Sequence, residues 1–205
     1  MTDRTEYSAI ILAGGRSSRM GRPKADLPFD GGTMLDYIVA GMMRVFEDLV
    51  VAVAEAKLFA WEGYPARSIE DRVSYRGPVA ALEQALRAIR FDRAFVCSCD
   101  VPFVNGDLAR KLCEMLGDDD VLIPRVDGKL QMLHAVYRKK CVEALATMRT
   151  GGEHRLHQIV NIAQARILHE DEIRALDPEL LSFFNVNTPG DYQRALKLMD
   201  ERNKM

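Results

Sequence analysis

Apolar runs and helical periods alternate along this chain, and the alternation predicts its elements. Residues 7–13 read as a buried strand, because their apolar positions are continuous rather than alternating. Residues 33–46 place Leu35, Ile38, Val39 and Met42 on one helical face. Residues 49–54 predict a second strand, and residues 78–90 a helix with Leu82, Leu86 and Ile89 as its stripe. A third strand covers 94–99. Asn105 predicts the cap of a helix running to Leu116, with Leu108, Leu112 and Met115 turned inward. Segments 121–124, 134–137 and 183–186 read as short strands, and 141–149 as a helix. Thr188-Pro189-Gly190-Asp191 opens the last helix with a cap, a proline at its first position and an acid three residues after the cap. Its buried face is Tyr192, Ala195, Leu196 and Met199, while 151–155 and 171–178 predict loops.

Strands alternating with helices predict an α/β fold: a Rossmann-like three-layer sandwich, with a mostly parallel sheet and helices on both faces. The length of 205 residues predicts a single domain, 1–205. Right-handed crossovers place ligand sites at the carboxyl ends of the strands.

Composition narrows the function classes. A net charge of −2 gives no whole-surface attraction to nucleic acid or to a membrane surface. No apolar run reaches the ~18 residues of a membrane span. The first six residues carry acids and no apolar core of a leader, so the expected location is cytoplasmic. Cys97, Cys99, Cys113 and Cys141 include no Cys-x-x-Cys pair, and reduced thiols are expected.

The candidate chemistry starts at the end of the first strand. Leu-Ala-Gly-Gly-Arg-Ser-Ser-Arg-Met-Gly-Arg-Pro-Lys, residues 12–24, joins three glycines to the cations Arg16, Arg19, Arg22 and Lys24. Glycines let backbone N–H groups approach an anion, so this loop suits a polyphosphate. It is neither a Walker loop nor a G-x-G-x-x-G fingerprint. Ser98-Cys99-Asp100-Val101-Pro102 ends the third strand and brings a carboxylate to the same edge. One carboxylate together with substrate phosphates is a donor set that Mg²⁺ favours. Asp71 precedes Gly77-Pro78, and Asn185 and Asn187 precede the last helix on one side of their segment. His154 and His157 lack a third partner at zinc spacing. Ser17 and Ser18 lack a paired base, which argues against a serine nucleophile.

The runs LAGGRSSRMGRPKADLPF, GPVAAL, CDVPF and NVNTPGDY together resemble the nucleotidyltransferases that act on molybdopterin, over about residues 8–199. The Leu-Ala-Gly-Gly, Gly-Pro-Val and Asn-Val-Asn-Thr-Pro segments are similar to the guanylyl branch of that family. The resemblance implies a fold like that of the nucleotide-diphospho-sugar transferases. It implies transfer of GMP from GTP to the terminal phosphate of Mo-molybdopterin, with Mg²⁺ or Mn²⁺ as the cation. Leu12, Ala13, Gly14, Gly15, Asp71 and Gly77 would then contact the nucleotide. Arg19 and Lys24 would bind the triphosphate and act with Asp100 in catalysis, and Asp100 would also hold the metal. Gln131, His134, Arg155, Asn185 and Asn187 would line the pterin side.

The sequence departs from the family pattern at Ala52-Val53-Ala54, where a polar side chain is usual, at Met132, and at His154, where an arginine is common. Expected partners are small molecules, with transient contact to cofactor-insertion proteins or molybdoenzymes and a monomeric or weakly oligomeric state. The rival readings are a cytidylyltransferase for the same cofactor, a sugar-phosphate nucleotidyltransferase, or a non-catalytic nucleotide-binding module.

Overall fold

A computed structural model describes residues 5–14, 23–53, 66–70 and 77–204. In chain order the strands are β1 (Thr5–Leu12), β2 (Pro28–Phe29), β3 (Gly32–Thr33), β4 (Phe46–Val53), β5 (Ala66–Glu70), β6 (Arg93–Ser98), β7 (Val121–Val126), β8 (Lys129–Leu130), β9 (His134–Arg138) and β10 (Ala165–Leu168). The helices are α1 (Met34–Met43), α2 (Pro78–Ala88), α3 (Gly106–Met115), α4 (Cys141–Thr150), α5 (Glu170–Arg174) and α6 (Pro189–Arg202). Among the described residues the main sheet runs β10-β7-β9-β6-β1-β4-β5, with β8 paired to β7.

Strands of a parallel sheet are buried on both faces, so apolar residues occupy consecutive positions. β1 shows how this builds two cores. Ala9 and Ile11 join one apolar cluster, with Ile38 and Met42 of α1, Leu108 and Leu112 of α3, and Ala195 and Met199 of α6. Ile10 and Leu12 join the other, with Leu82 and Leu86 of α2 and Leu145 and Met148 of α4. The three-layer sandwich is therefore as expected. Pairings β1/β4, β1/β6, β4/β5 and β7/β10 are parallel, while β9 runs antiparallel to both β6 and β7.

Several boundaries differ from the pattern-based reading. α1 stops at Met43, and Phe46 begins β4 instead of ending the helix. The segment 183–186 is not a strand. Leu181–Phe183 forms a 3-10 turn, and Val186 makes one backbone bond, N–H to the Asp100 carbonyl at 2.8 Å, instead of a ladder. Residues 171–178 are not all loop, since α5 begins at Glu170. β5 and β10 went unread because their mixed sequences, Ala-Arg-Ser-Ile-Glu and Ala-Arg-Ile-Leu, lie at the two ends of the sheet and carry no buried run.

One polar cluster closes the amino edge of the sheet. Asp48 on β4 is buried and accepts hydrogen bonds from the Ser8 hydroxyl at 2.6 Å and the Arg90 backbone N–H at 2.7 Å. Arg67 of β5 pairs with its other oxygen and donates to the Ala88 carbonyl. Three strands and the turn after α2 are thereby fixed to one carboxylate. Replacing Asp48 with alanine leaves buried donors without acceptors, and the expected loss is about 2–4 kcal/mol of unfolding free energy. Urea unfolding of Asp48→Ala checks it; a loss under about 0.5 kcal/mol would mean that water replaces the carboxylate at no cost.

Candidate functional site

The parallel register of β1 with β6 sets Leu12 opposite Ser98. Two bonds extend the pairing past the strand ends: Cys99 N–H to the Leu12 carbonyl at 3.1 Å, and Ala13 N–H to the Ala52 carbonyl at 2.7 Å. Leu12, Ala13 and Gly14 thus leave the sheet beside Asp100. The missing polar side chain at Ala52-Val53 has a structural counterpart, because both residues are buried and the Ala52 carbonyl carries the contact to the β1 exit.

Lys24 starts a short 3-10 turn, Lys24–Asp26, whose Ala25 is buried in the α1-side core. That anchor sends the ammonium back toward the sheet edge. Lys24 Nζ donates to Asp100 Oδ2 at 3.0 Å and to Asn187 Oδ1 at 2.7 Å. The Ser98 hydroxyl donates to the other Asp100 oxygen. Asn187 is held in turn by α6: its backbone N–H bonds Asp191 Oδ2 at 3.1 Å, and that carboxylate belongs to the Thr188–Asp191 capping box.

Beside this triad lies a cavity of about 330 Å³. Among the described residues it is lined by Ser98, Asp100, Val101, Gln131, Leu133, His134, Phe183, Asn185 and Asn187. Of the five residues predicted for the pterin side, four meet here. Arg155 is not one of the lining residues; it is exposed and bonded to Glu153 at 2.8 Å and 3.0 Å. Gln131 is oriented by weak bonds from its Nε2 to the Val126 and Lys129 carbonyls, both 3.4 Å. Asn185 donates to the Phe183 carbonyl at 2.8 Å.

His134 is the unusual member. It is 2% exposed, and neither ring nitrogen has a protein partner among the described residues. Its ring lies 5.0 Å from Phe95, edge to face, and 4.2 Å from Phe183. Burial among these rings depresses its pKa to about 3, so the imidazole is neutral at ordinary pH. Cys99, next to Asp100, is pushed the other way: burial first, then the Asp100 charge, raises its thiol to about 12.

Gly77 takes φ +89°, a conformation that side chains rarely adopt, and Pro78 follows at the first position of α2. A Cβ at Gly77 would lie 3.5 Å from the His154 carbonyl oxygen, so the α2 amino end faces the 151–155 turn. Gly15, Arg16, Ser17, Ser18, Arg19, Gly21, Arg22, Ala54 and Asp71 lie outside the described residues.

Two contributors escaped the sequence reading. Ser98 fixes the Asp100 rotamer, and its only signal is its place two residues earlier, where period two puts it on the same side. Phe183 packs on His134 with the ring planes tilted by 43°, but the segment that carries it has a strand-like pattern.

Among the described residues no cluster of three or more His, Cys, Asp or Glu could hold a metal ion. A cation here would rest on Asp100 and borrow oxygens from a phosphate ligand, the donor set Mg²⁺ accepts. Among the described residues, no helix is long and apolar enough to cross a membrane.

Residues 9–168 match the family described as the MobA-like NTP transferase domain. A protein of Methanosarcina mazei named "Probable molybdenum cofactor guanylyltransferase" is 33% identical over 204 residues, spanning 94% of this chain and 91% of that one. A molybdenum cofactor guanylyltransferase of Desulfosudis oleivorans is 31% identical, over 92% and 93% of the two chains. Among solved structures, the molybdopterin-guanine dinucleotide biosynthesis protein A of Archaeoglobus fulgidus superposes with a TM-score of 0.82 at 25% identity, covering 95% of this chain and 99% of that chain.

The depressed pKa of His134 has a consequence for stability. The unfolded chain takes up a proton near 6.5 and the native one not until about 3, so this contribution is intact above 6.5 and is lost progressively as pH falls toward 3. Urea unfolding at pH 7 and pH 5 should show wild type losing up to ~1.4 kcal/mol per pH unit more than His134→Gln. Equal pH slopes in the two proteins would assign the acid sensitivity to other groups.

Proposed function

The chain belongs to the MobA-like NTP transferase family, and from that membership we propose that it transfers GMP from GTP to the terminal phosphate of molybdopterin. The products are the guanine dinucleotide form of the cofactor and pyrophosphate. The observation that carries this reading is the meeting of Lys24, Asp100 and Asn187 at the carboxyl edge of β1 and β6, beside a cavity of about 330 Å³.

A phosphate oxygen of the pterin attacks the α-phosphorus of GTP in line. The new P–O bond forms as the bond from the α-phosphorus to the bridging oxygen breaks, and pyrophosphate leaves with that electron pair. The attacking phosphate is already anionic, so the reaction needs no general base. What the protein must supply is position and compensation of negative charge.

For the described residues the proposed tasks are read from their positions, and for Arg19 and Asp71 from the family motif alone. Leu12, Ala13 and Gly14 offer backbone groups to the nucleotide where β1 leaves the sheet. Gly77 leaves the amino end of α2 bare, because a side chain there would strain the backbone. Lys24 offsets charge on the α-phosphoryl group and on the departing pyrophosphate. Arg19, from the same loop, is assigned to the triphosphate, and Asp71 to the nucleotide.

Asp100 is the residue to hold a divalent cation, Mg²⁺ or Mn²⁺, with Ser98 fixing its orientation. When bound, the cation supplies further charge neutralisation at the phosphate oxygens. Gln131, His134, Asn185 and Asn187 supply the pterin side of the cavity, His134 as a neutral ring. Arg155 acts there only if its bond to Glu153 is exchanged for one to the ligand.

The test is pyrophosphate release with molybdopterin and each of GTP, CTP, ATP and UTP. GTP alone should support turnover. Asp100→Asn and Lys24→Gln should each lower kcat/KM by about 10²–10³ while unfolding like wild type. Preference for CTP would move the assignment to the cytidylyl branch. Unimpaired turnover in either variant would remove that residue from the mechanism.

A further inference from the structure

The Lys24–Asp100 pair poses a problem for any cation at this site. One Asp100 oxygen accepts from the Ser98 hydroxyl, and the other accepts from the Lys24 ammonium at 3.0 Å. The side chains of Lys24 and Asp100 are only 17% and 21% exposed, so water screens the pair incompletely. A dication approaching Asp100 would meet a full positive charge already in contact with its ligand.

Asn187 makes this arrangement specific. Its backbone N–H is fixed by Asp191, and its side-chain oxygen accepts from the ammonium at 2.7 Å. A lysine nitrogen can only donate, so the amide must present oxygen to it. The α6 capping box thus holds a second anchor for Lys24 163 residues away in sequence.

We infer that Lys24 is a built-in counter-ion that guards the cation site: in the nucleotide-free protein it occupies Asp100, with Asn187 as its second anchor, and a divalent cation binds tightly only when a triphosphate draws the lysine away. The inference rests on Asp100 as the cation ligand. Cation and nucleotide are then coupled through one side chain, because each arrival changes what Lys24 pairs with. Asn187 is a positioning residue in this scheme, acting through Lys24 and not on the reacting atoms.

Titration of the nucleotide-free protein with Mn²⁺, read as loss of free Mn²⁺ signal by electron paramagnetic resonance, tests it without turnover. Wild type should bind weakly. Lys24→Gln keeps a donor and removes the charge, and should bind Mn²⁺ at least ~10-fold more tightly. Asn187→Ala leaves both ion-pair partners intact and should shift affinity the same way by less. Adding Asp100→Asn to Lys24→Gln should abolish the gain. Thermal unfolding checks that each variant is folded, and Asn187→Ala carries the test if Lys24→Gln is not.

Equal Mn²⁺ affinity in wild type, Lys24→Gln and Asn187→Ala overturns the inference. If wild type with GTP still binds Mn²⁺ in an Asp100-dependent way, Asp100 stands as the cation ligand and only the guarding role fails. A gain that survives Asp100→Asn removes both.

Discussion

The parallel pairing of β1 with β6 is the constraint from which the site follows. With Leu12 opposite Ser98, both strands end at one level, and the chain must turn there twice. One exit gives the backbone of Ala13 and Gly14, and the other gives Asp100. Lys24 and Asn187 then arrive from opposite ends of the sequence. Each is fixed by its own support, a buried Ala25 in one case and the α6 cap in the other. The ion pair closes an arrangement that the sheet register has already brought within reach.

The two edges of the sheet use carboxylates differently. At the amino edge Asp48 is buried and takes bonds from Ser8, Arg67 and the Arg90 backbone. That carboxylate is saturated by groups from several elements, as a structural brace should be. At the carboxyl edge Asp100 is partly exposed and borders a cavity. Its lysine partner, at 3.0 Å, is the side chain that the proposed guarding role would have an incoming anion redirect. Burial and the number of fixed donors separate the two roles more clearly than residue type does.

Much of this was readable in the sequence because the core strands are apolar on both faces and the helices carry clean stripes. The order of strand and helix, the Gly- and Arg-rich loop ending in Lys24 and the acid after the third strand already put Lys24 and Asp100 at one edge. Period alone could not say that β9 runs antiparallel, because direction is set by the connection and not by side-chain pattern. The segment at 183–186 looked like a strand because Phe183, Phe184 and Val186 are apolar. Its backbone instead spends one bond on Asp100 and turns to present Asn185 and Asn187. The grip of Asn187 on Lys24 spans 163 residues, and no local pattern encodes such a meeting. The orphan nitrogens of His134 were invisible for a related reason: they depend on Phe95 and Phe183 closing around the ring.

Cys99 adds a different property to the same edge. Its neighbour Asp100 and its own burial keep sulfur protonated, with a pKa near 12. A thiol in that state is a poor ligand and a poor nucleophile. A cation held as proposed by Asp100 would therefore meet carboxylate and phosphate oxygens, with no sulfur anion to favour thiophilic metals such as zinc or cuprous copper.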